Sequence, residues 1–215
     1  VKIGILGTGA VGKVIGKALV AKGHEVRLGA REAGNASAAG WAAEVGPRGT
    51  AGTFADAAAF GELLFNCTSG VASLAALERA GAANLAGKVL IDVANPLDFS
   101  QGFPPTLSVA NTDSLAEQLQ RAFPATKVVK ALNTMNCELM VDAGKVPGTD
   151  VFVAGDDPAA RASVKGLLRE AFGWEAPIDL GGLRAARGLE MWLPLWLSVY
   201  GALGTGTFNV KIVRG

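Results

Sequence analysis

Ile3-Gly4-Ile5-Leu6-Gly7-Thr8-Gly9-Ala10-Val11-Gly12 decides the fold. An apolar run runs straight into a GxGxxG turn, and the turn opens a stretch with helical periodicity. In that context the pattern reads as a dinucleotide-binding fingerprint. The first glycine allows the tight bend, the second lets the backbone approach a pyrophosphate, and the third lets helix pack closely on strand. The phosphates are then expected at the positive end of the helix.

Outward from this turn, strand-like and helix-like segments alternate. Val11, Ile15, Ala18 and Leu19 recur at helical spacing, and Gly23 follows as a stop signal. A strand is expected at 25–28, a helix at 36–45, a short strand near Thr50, a helix from Asp56 and a strand at 63–66. Further along come a helix at 71–80, a strand at 89–93, a helix at 114–123 opened by Thr112 or Asp113, and a strand at 128–132. The series closes with a strand at 151–154, a helix at 158–171 with Pro158 in its first turn, a strand at 177–180 and an apolar helix from about Leu183 to Ala202. Such alternation predicts an α/β, Rossmann-type, doubly wound and mainly parallel sheet, covered on both faces, with a small C-terminal helical extension. The expected division is a nucleotide-binding domain over 1–182 and an apolar helix and tail over 183–215. Ligands on such a sheet bind beyond the carboxyl ends of the strands. That rule gathers the loops 7–12, 29–31, 67–70, 94–96 and 133–136 around one cleft.

The chain has 215 residues, half of them hydrophobic, with 20 basic and 19 acidic residues and a net charge of +1. One ordinary domain with a substantial core fits this length. The balanced charge argues against nucleic acid or an anionic membrane and for small molecules, such as a redox substrate, or another subunit as partners. Cys67 and Cys137, two cysteines far apart, suit a reducing cytoplasm, and no targeting segment is read before the first strand. The apolar stretch 189–204 is short for a membrane span, which needs ~20 residues, and it contains Glu190 and Pro194.

The end of the second strand reads Val26-Arg27-Leu28-Gly29-Ala30-Arg31. The acid that binds ribose hydroxyls in NAD-preferring folds is absent, and a guanidinium stands ready for a 2′-phosphate, so NADP is favoured over NAD. Neighbouring Glu32 is the alternative ribose ligand if the register shifts. Acid–base groups are scarce. His24, the one histidine, lies at the amino end of the second strand, and Tyr200, the one tyrosine, lies on the apolar helix with its hydroxyl expected to be packed and satisfied. No spacing suggests a metal site. The remaining polar candidates are Lys130, Asn133, Asn95, Asp179 and Glu190. Lys130 sits in a strand that should be buried, and Asp179 reads as a turn. Reduction of a ketone or imine needs a placed proton donor, whereas hydride exchange between two redox cofactors needs mainly alignment.

These segments together resemble the coenzyme F420-dependent NADP oxidoreductases, whose relatives include the reductase domain of six-transmembrane metalloreductases. The resemblance is carried by 2–12, 26–31, Asp92-Val-Ala-Asn-Pro-Leu97, Val128-Val-Lys-Ala-Leu-Asn-Thr134, 151–156 and Asp179-Leu-Gly-Gly-Leu183. It implies NADP diphosphate on Gly7, Thr8, Gly9, Ala10, Val11 and Gly12, and the 2′-phosphate at Arg31. Cys67, Thr68 and Ser69 would flank ribose and nicotinamide, with Asn95 and Asn133 near the transferring face. Relatives often have serine or threonine before the arginine and a second arginine after it. Here Ala30 and Glu32 stand there, which implies weaker phosphate affinity.

The expected function is hydride transfer between NADP(H) and a deazaflavin of the coenzyme F420 type. An NADPH-dependent flavin, ferric, carbonyl or imine reductase is the alternative enzyme, and a non-catalytic NADP(H) sensor is the third reading. The terminal helix, with Trp192, Leu193, Leu195, Trp196, Leu197, Val199 and Tyr200, leaves almost no polar face and is expected to be buried on all sides. A homodimer interface would cover the side that the sheet does not, and Pro194 would aim a tryptophan at the cleft.

Overall fold

A computed structural model describes residues 1–215. Its first half is β1 (Lys2–Leu6), α1 (Ala10–Ala21), β2 (Glu25–Ala30), α2 (Ala36–Val45), β3 (Gly49–Thr53), α3 (Phe54–Phe60), β4 (Leu63–Asn66), α4 (Ser73–Ala80), α5 (Ala82–Leu85) and β5 (Val89–Asp92). Then follow β6 (Leu97–Asp98), β7 (Thr106–Leu107), α6 (Leu115–Ala122), β8 (Lys127–Ala131), α7 (Cys137–Met140), β9 (Phe152–Gly155), α8 (Pro158–Phe172), β10 (Ile178–Asp179) and α9 (Ala186–Leu203). Local chemistry sets several boundaries. Thr53 and Asp56 form a reciprocal capping box that opens α3 directly from β3. Ser114, rather than Thr112 or Asp113, caps α6 by accepting from the Glu117 amide.

The main sheet has the order β10-β9-β8-β5-β4-β1-β2-β3. Strand order reverses between β1 and β4, so a crevice opens beyond their carboxyl ends. Two hydrophobic layers cover the sheet. One joins Ile15, Trp41, Val164 and Trp174 to the strands. The other joins Phe54, Leu77, Leu119 and Ala186 to the opposite face.

The sheet is not parallel throughout. β8 and β9 pair antiparallel, and β10 lies parallel to β9. Residues 132–151 explain this reversal. A parallel neighbour needs a crossover of a dozen or more residues that returns the chain to the opposite end of the sheet. This segment holds only the one-turn α7 and a 3-10 turn, so the chain re-enters the sheet from the cleft side. Consequently Asp179-Leu180-Gly181-Gly182 runs away from the cleft, with the Gly155 amide donating to the Gly181 carbonyl. Helix α9 starts at that far end and climbs back to the cleft.

Candidate functional site

The glycine turn is built for a close backbone approach. Gly7 has a φ of +122°, and a Cβ there would stand 2.5 Å from the Cys67 carbonyl oxygen. A Cβ on Gly12 would strike the Gly7 carbonyl. Gly9 differs: it is exposed, with nothing within 4 Å of a Cβ position. Packing within the chain does not require glycine there, whereas a pyrophosphate lying on the turn does. Gly9 also caps α1 without any side-chain hydrogen bond, which leaves the first amides of the helix as open donors. The residues present therefore fit a dinucleotide diphosphate.

A cavity of ≈ 530 Å³ adjoins this turn, lined by Gly7, Thr8 and Gly9 on one side and by Ala30, Arg31, Glu32 and Asn35 on another. Because β2 extends through Ala30, Arg31 is the first residue past the strand. Its partner walls are Phe54 and the loop Cys67-Thr68-Ser69, with Ala72, Ala75, Ala76 and Arg79 beyond it.

The same Cys67-Thr68-Ser69 loop also walls a second cavity of ≈ 350 Å³. There the surroundings are mostly apolar: Val11, Val93, Leu97, Phe99, Leu193 and Trp196. Asn95 and Asn133 supply its amides. Asn133 donates to the Asn95 side chain at 2.8 Å and to the Leu189 carbonyl at 3.0 Å, while Asn95 donates back to the Asn133 carbonyl at 2.9 Å. The Asn133 side-chain oxygen is buried without a partner. Leu132, just before it, takes a left-handed φ of 65°, a strained conformation of the kind that surrounding structure holds in place at ligand clamps. No lining side chain is ionic. The Cys67 thiol is pushed well above its ordinary range by burial and by Asp92, and burial and then Glu138 also raise Cys137.

Beneath the cleft runs a buried polar chain. Thr68 donates to Asn66 at 2.7 Å, and Asn66 donates to Asp92 at 2.8 Å. Lys130, fully buried, binds Asp92 and Glu190, each at 2.8 Å. Glu190 in turn accepts the Leu115 and Ala116 amides at the start of α6. Burial pushes the Lys130 ammonium down, yet the two carboxylates outweigh it and hold it above its ordinary value. Burial raises the Glu190 carboxyl. The triad thus fastens α9 to β5, β8 and α6, and α9 delivers Leu193 and Trp196 to the second cavity. The Trp196 ring stacks with Tyr200 and with Phe208, with centroids at 5.5 and 5.3 Å.

Comparison with known proteins gives the family. Residues 2–96 match the family model described as NADP oxidoreductase, coenzyme F420-dependent. The chain is 30% identical over 207 residues to the F420-dependent NADP reductase of Methanothermobacter marburgensis, covering 92% of each. The chain belongs to the F420-dependent NADP oxidoreductase family. A crystal structure from Arthrobacter sp. FB24, described as a candidate F420-dependent NADP-reductase, superposes with a TM-score of 0.94 at 51% identity, over 99% of both chains. Metalloreductase STEAP3 from Rattus norvegicus is 30% identical over 207 residues, but the match spans 37% of that longer protein.

Within this F420-dependent NADP oxidoreductase fold, the residues singled out from sequence fall into two groups. Gly7, Thr8, Gly9 and Arg31 line the first cavity, Val11, Asn95 and Asn133 the second, and Cys67, Thr68 and Ser69 both. Ala10 and Gly12 lie in the first turn of α1. Other candidates lie elsewhere. Asp179 is an ion-pair partner of Arg161 (2.9 Å) and Lys165 (3.5 Å). His24 lines a different cavity with Val1, Glu62 and Glu170, and burial lowers its pKa. Tyr200 stacks its ring on Trp196 but is 43% exposed rather than fully packed. Sequence reading missed Arg79 and the cleft residues of α7 and the β6–β7 hairpin. The spacing Ala72-Ala75-Ala76-Arg79, one helical stripe, was the available signal for the first; two-residue strands such as β6 and β7 carry none.

Proposed function

We propose that this protein passes a hydride between NADP(H) and a deazaflavin of the coenzyme F420 type, the two rings stacked in the second cavity. The observation that carries this reading is the cavity's composition: apolar walls from Val93, Leu97, Phe99, Leu193 and Trp196, with no ionic side chain among its lining residues. A flat tricycle suits such walls, whereas a small carbonyl or imine substrate calls for a placed proton donor. NADPH supplies the hydride, and the chain's own residues do the holding. The amides of α1 and the turn at Gly7–Gly9 bind the diphosphate, and Arg31 receives the 2′-phosphate. Thr68, fixed by Asn66, and the Asn95–Asn133 pair set the depth of the nicotinamide. Leu193 and Trp196 exclude water from the far side.

A second copy of the chain is part of the same proposal. Met191, Leu195 and Leu203 on α9 are 40%, 52% and 59% exposed. They form an outward apolar stripe on the helix that builds the slot. Purified protein mixed with NADPH and oxidised deazaflavin is expected to oxidise the first and reduce the second in equal amounts, followed by absorbance. Consumption of NADPH only with a flavin, ferric complex or imine would overturn the deazaflavin assignment.

A further inference from the structure

The adenosine end of the cleft holds a cation that the reading above does not use. Helix α4 starts where β4 delivers the chain to the cleft and then runs away from it. Along it, Ala72, Ala75, Ala76 and Arg79 fall at i, i+3, i+4 and i+7, and all four line the first cavity. Long side chains on a helix lean toward its N-terminus. Arg79 and the three alanines therefore share one wall of the cavity. Ala72, Ala75 and Ala76 present only small side chains to the cavity that Arg79 and Arg31 also line.

Both arginines are exposed, and neither belongs to an ion pair, although Arg121, Arg161 and Arg187 each hold a carboxylate of their own chain. Charge supports the same conclusion. Arg31, Glu32 and Arg79 are the ionic residues lining this cavity. Without Arg79 the formal charges of Arg31 and Glu32 cancel, and a phosphate carrying about −1.5 to −2 charges gains little net attraction. With Arg79 the cavity is positive.

We propose that Arg79 is the second guanidinium that holds the 2′-phosphate of NADP(H), reaching it from α4 opposite Arg31. This rests on the NADP reading of the cavity. It makes cofactor preference a property of two walls of the cleft rather than of the β2 loop alone.

The test is calorimetric titration with adenosine 2′,5′-bisphosphate and with adenosine 5′-monophosphate. Arg79→Ala is expected to weaken the bisphosphate about tenfold and to leave the monophosphate within about twofold. Arg79→Lys should recover part of the loss, because an ammonium keeps the charge without the planar fork. Equal losses for both probes would show that Arg79 stacks on adenine and would overturn the proposal, as would no loss for either. If the unmodified protein itself binds the two probes equally, the NADP reading fails along with it. A preference for the bisphosphate that survives Arg79→Ala intact refutes the role of Arg79 alone. Because Arg79 makes no ion pair and is exposed, an unchanged thermal melt is expected for both variants.

Discussion

Lys130 has no solvent exposure, and an unpaired ammonium at such a position would cost several kcal/mol. Asp92 and Glu190 remove that cost, and the α6 amides satisfy Glu190 in turn. Lys130→Met should therefore leave two buried carboxylates facing each other and lower stability by roughly 3–5 kcal/mol in urea unfolding at neutral pH. The pH dependence has a definite sign. Since the folded-state pKa of Lys130 is raised, its contribution is complete below the ordinary value of 10.5 and is lost as pH rises through the folded value. The stability gap between wild type and Lys130→Met should narrow above that pH; a constant gap would contradict the charged pairing. Arg31→Ala makes a separate case. It should weaken NADPH by about 1–3 kcal/mol and leave NADH nearly unchanged in fluorescence titration; equal losses would remove Arg31 from the 2′-phosphate. Arg31 was legible because strand end and charge adjoin in sequence. The partners of Lys130 were not, since Asp92 lies 38 residues away and Glu190 on another element entirely.

At the scale of elements, α9 is two-faced rather than buried on all sides. Leu189, Glu190 and Leu193 are buried, Trp196 meets the cleft, and Met191, Leu195 and Leu203 face outward. The run of apolar residues announced a helix with unusual neighbours, but apolar character alone does not say which side is packed and which is exposed. Of its tryptophans, Trp196 lines the cleft, whereas Trp192 donates to the Thr134 carbonyl at 3.1 Å. Leu195→Glu is accordingly the cleaner probe of association. Sizing at matched concentration should give a dimer for the wild type and a monomer for Leu195→Glu with NADPH binding retained; a wild-type monomer would refute the dimer. Trp196→Ala should instead raise the KM for deazaflavin while NADPH affinity stays within about twofold, as expected for a wall of the second cavity alone. A parallel loss of both would place Trp196 outside that role. Strand direction was the other gap at this scale. The sequence 151–154 carries a strand pattern whichever way it runs, and only the missing crossover helix over 132–151 reverses it.

Across the whole molecule, two cavities share the wall Cys67-Thr68-Ser69 at the point where strand order reverses. The first was legible from the fingerprint and the alternation of elements, because the switch-point rule converts strand order into a place. The second is assembled from the β6–β7 hairpin, α7 and α9, distant in sequence and brought together only by the reversed edge of the sheet. Its apolar, non-ionic lining is what makes direct transfer the central claim. A single turnover with NADPH deuterated at the transferring face of nicotinamide C4, in ordinary water with oxidised deazaflavin, tests that claim most directly. Mass spectrometry of the reduced deazaflavin is predicted to find the deuterium on its ring carbon in nearly every product molecule. Reduction that takes its hydrogen from water, or no reduction of the deazaflavin at all, would contradict the account.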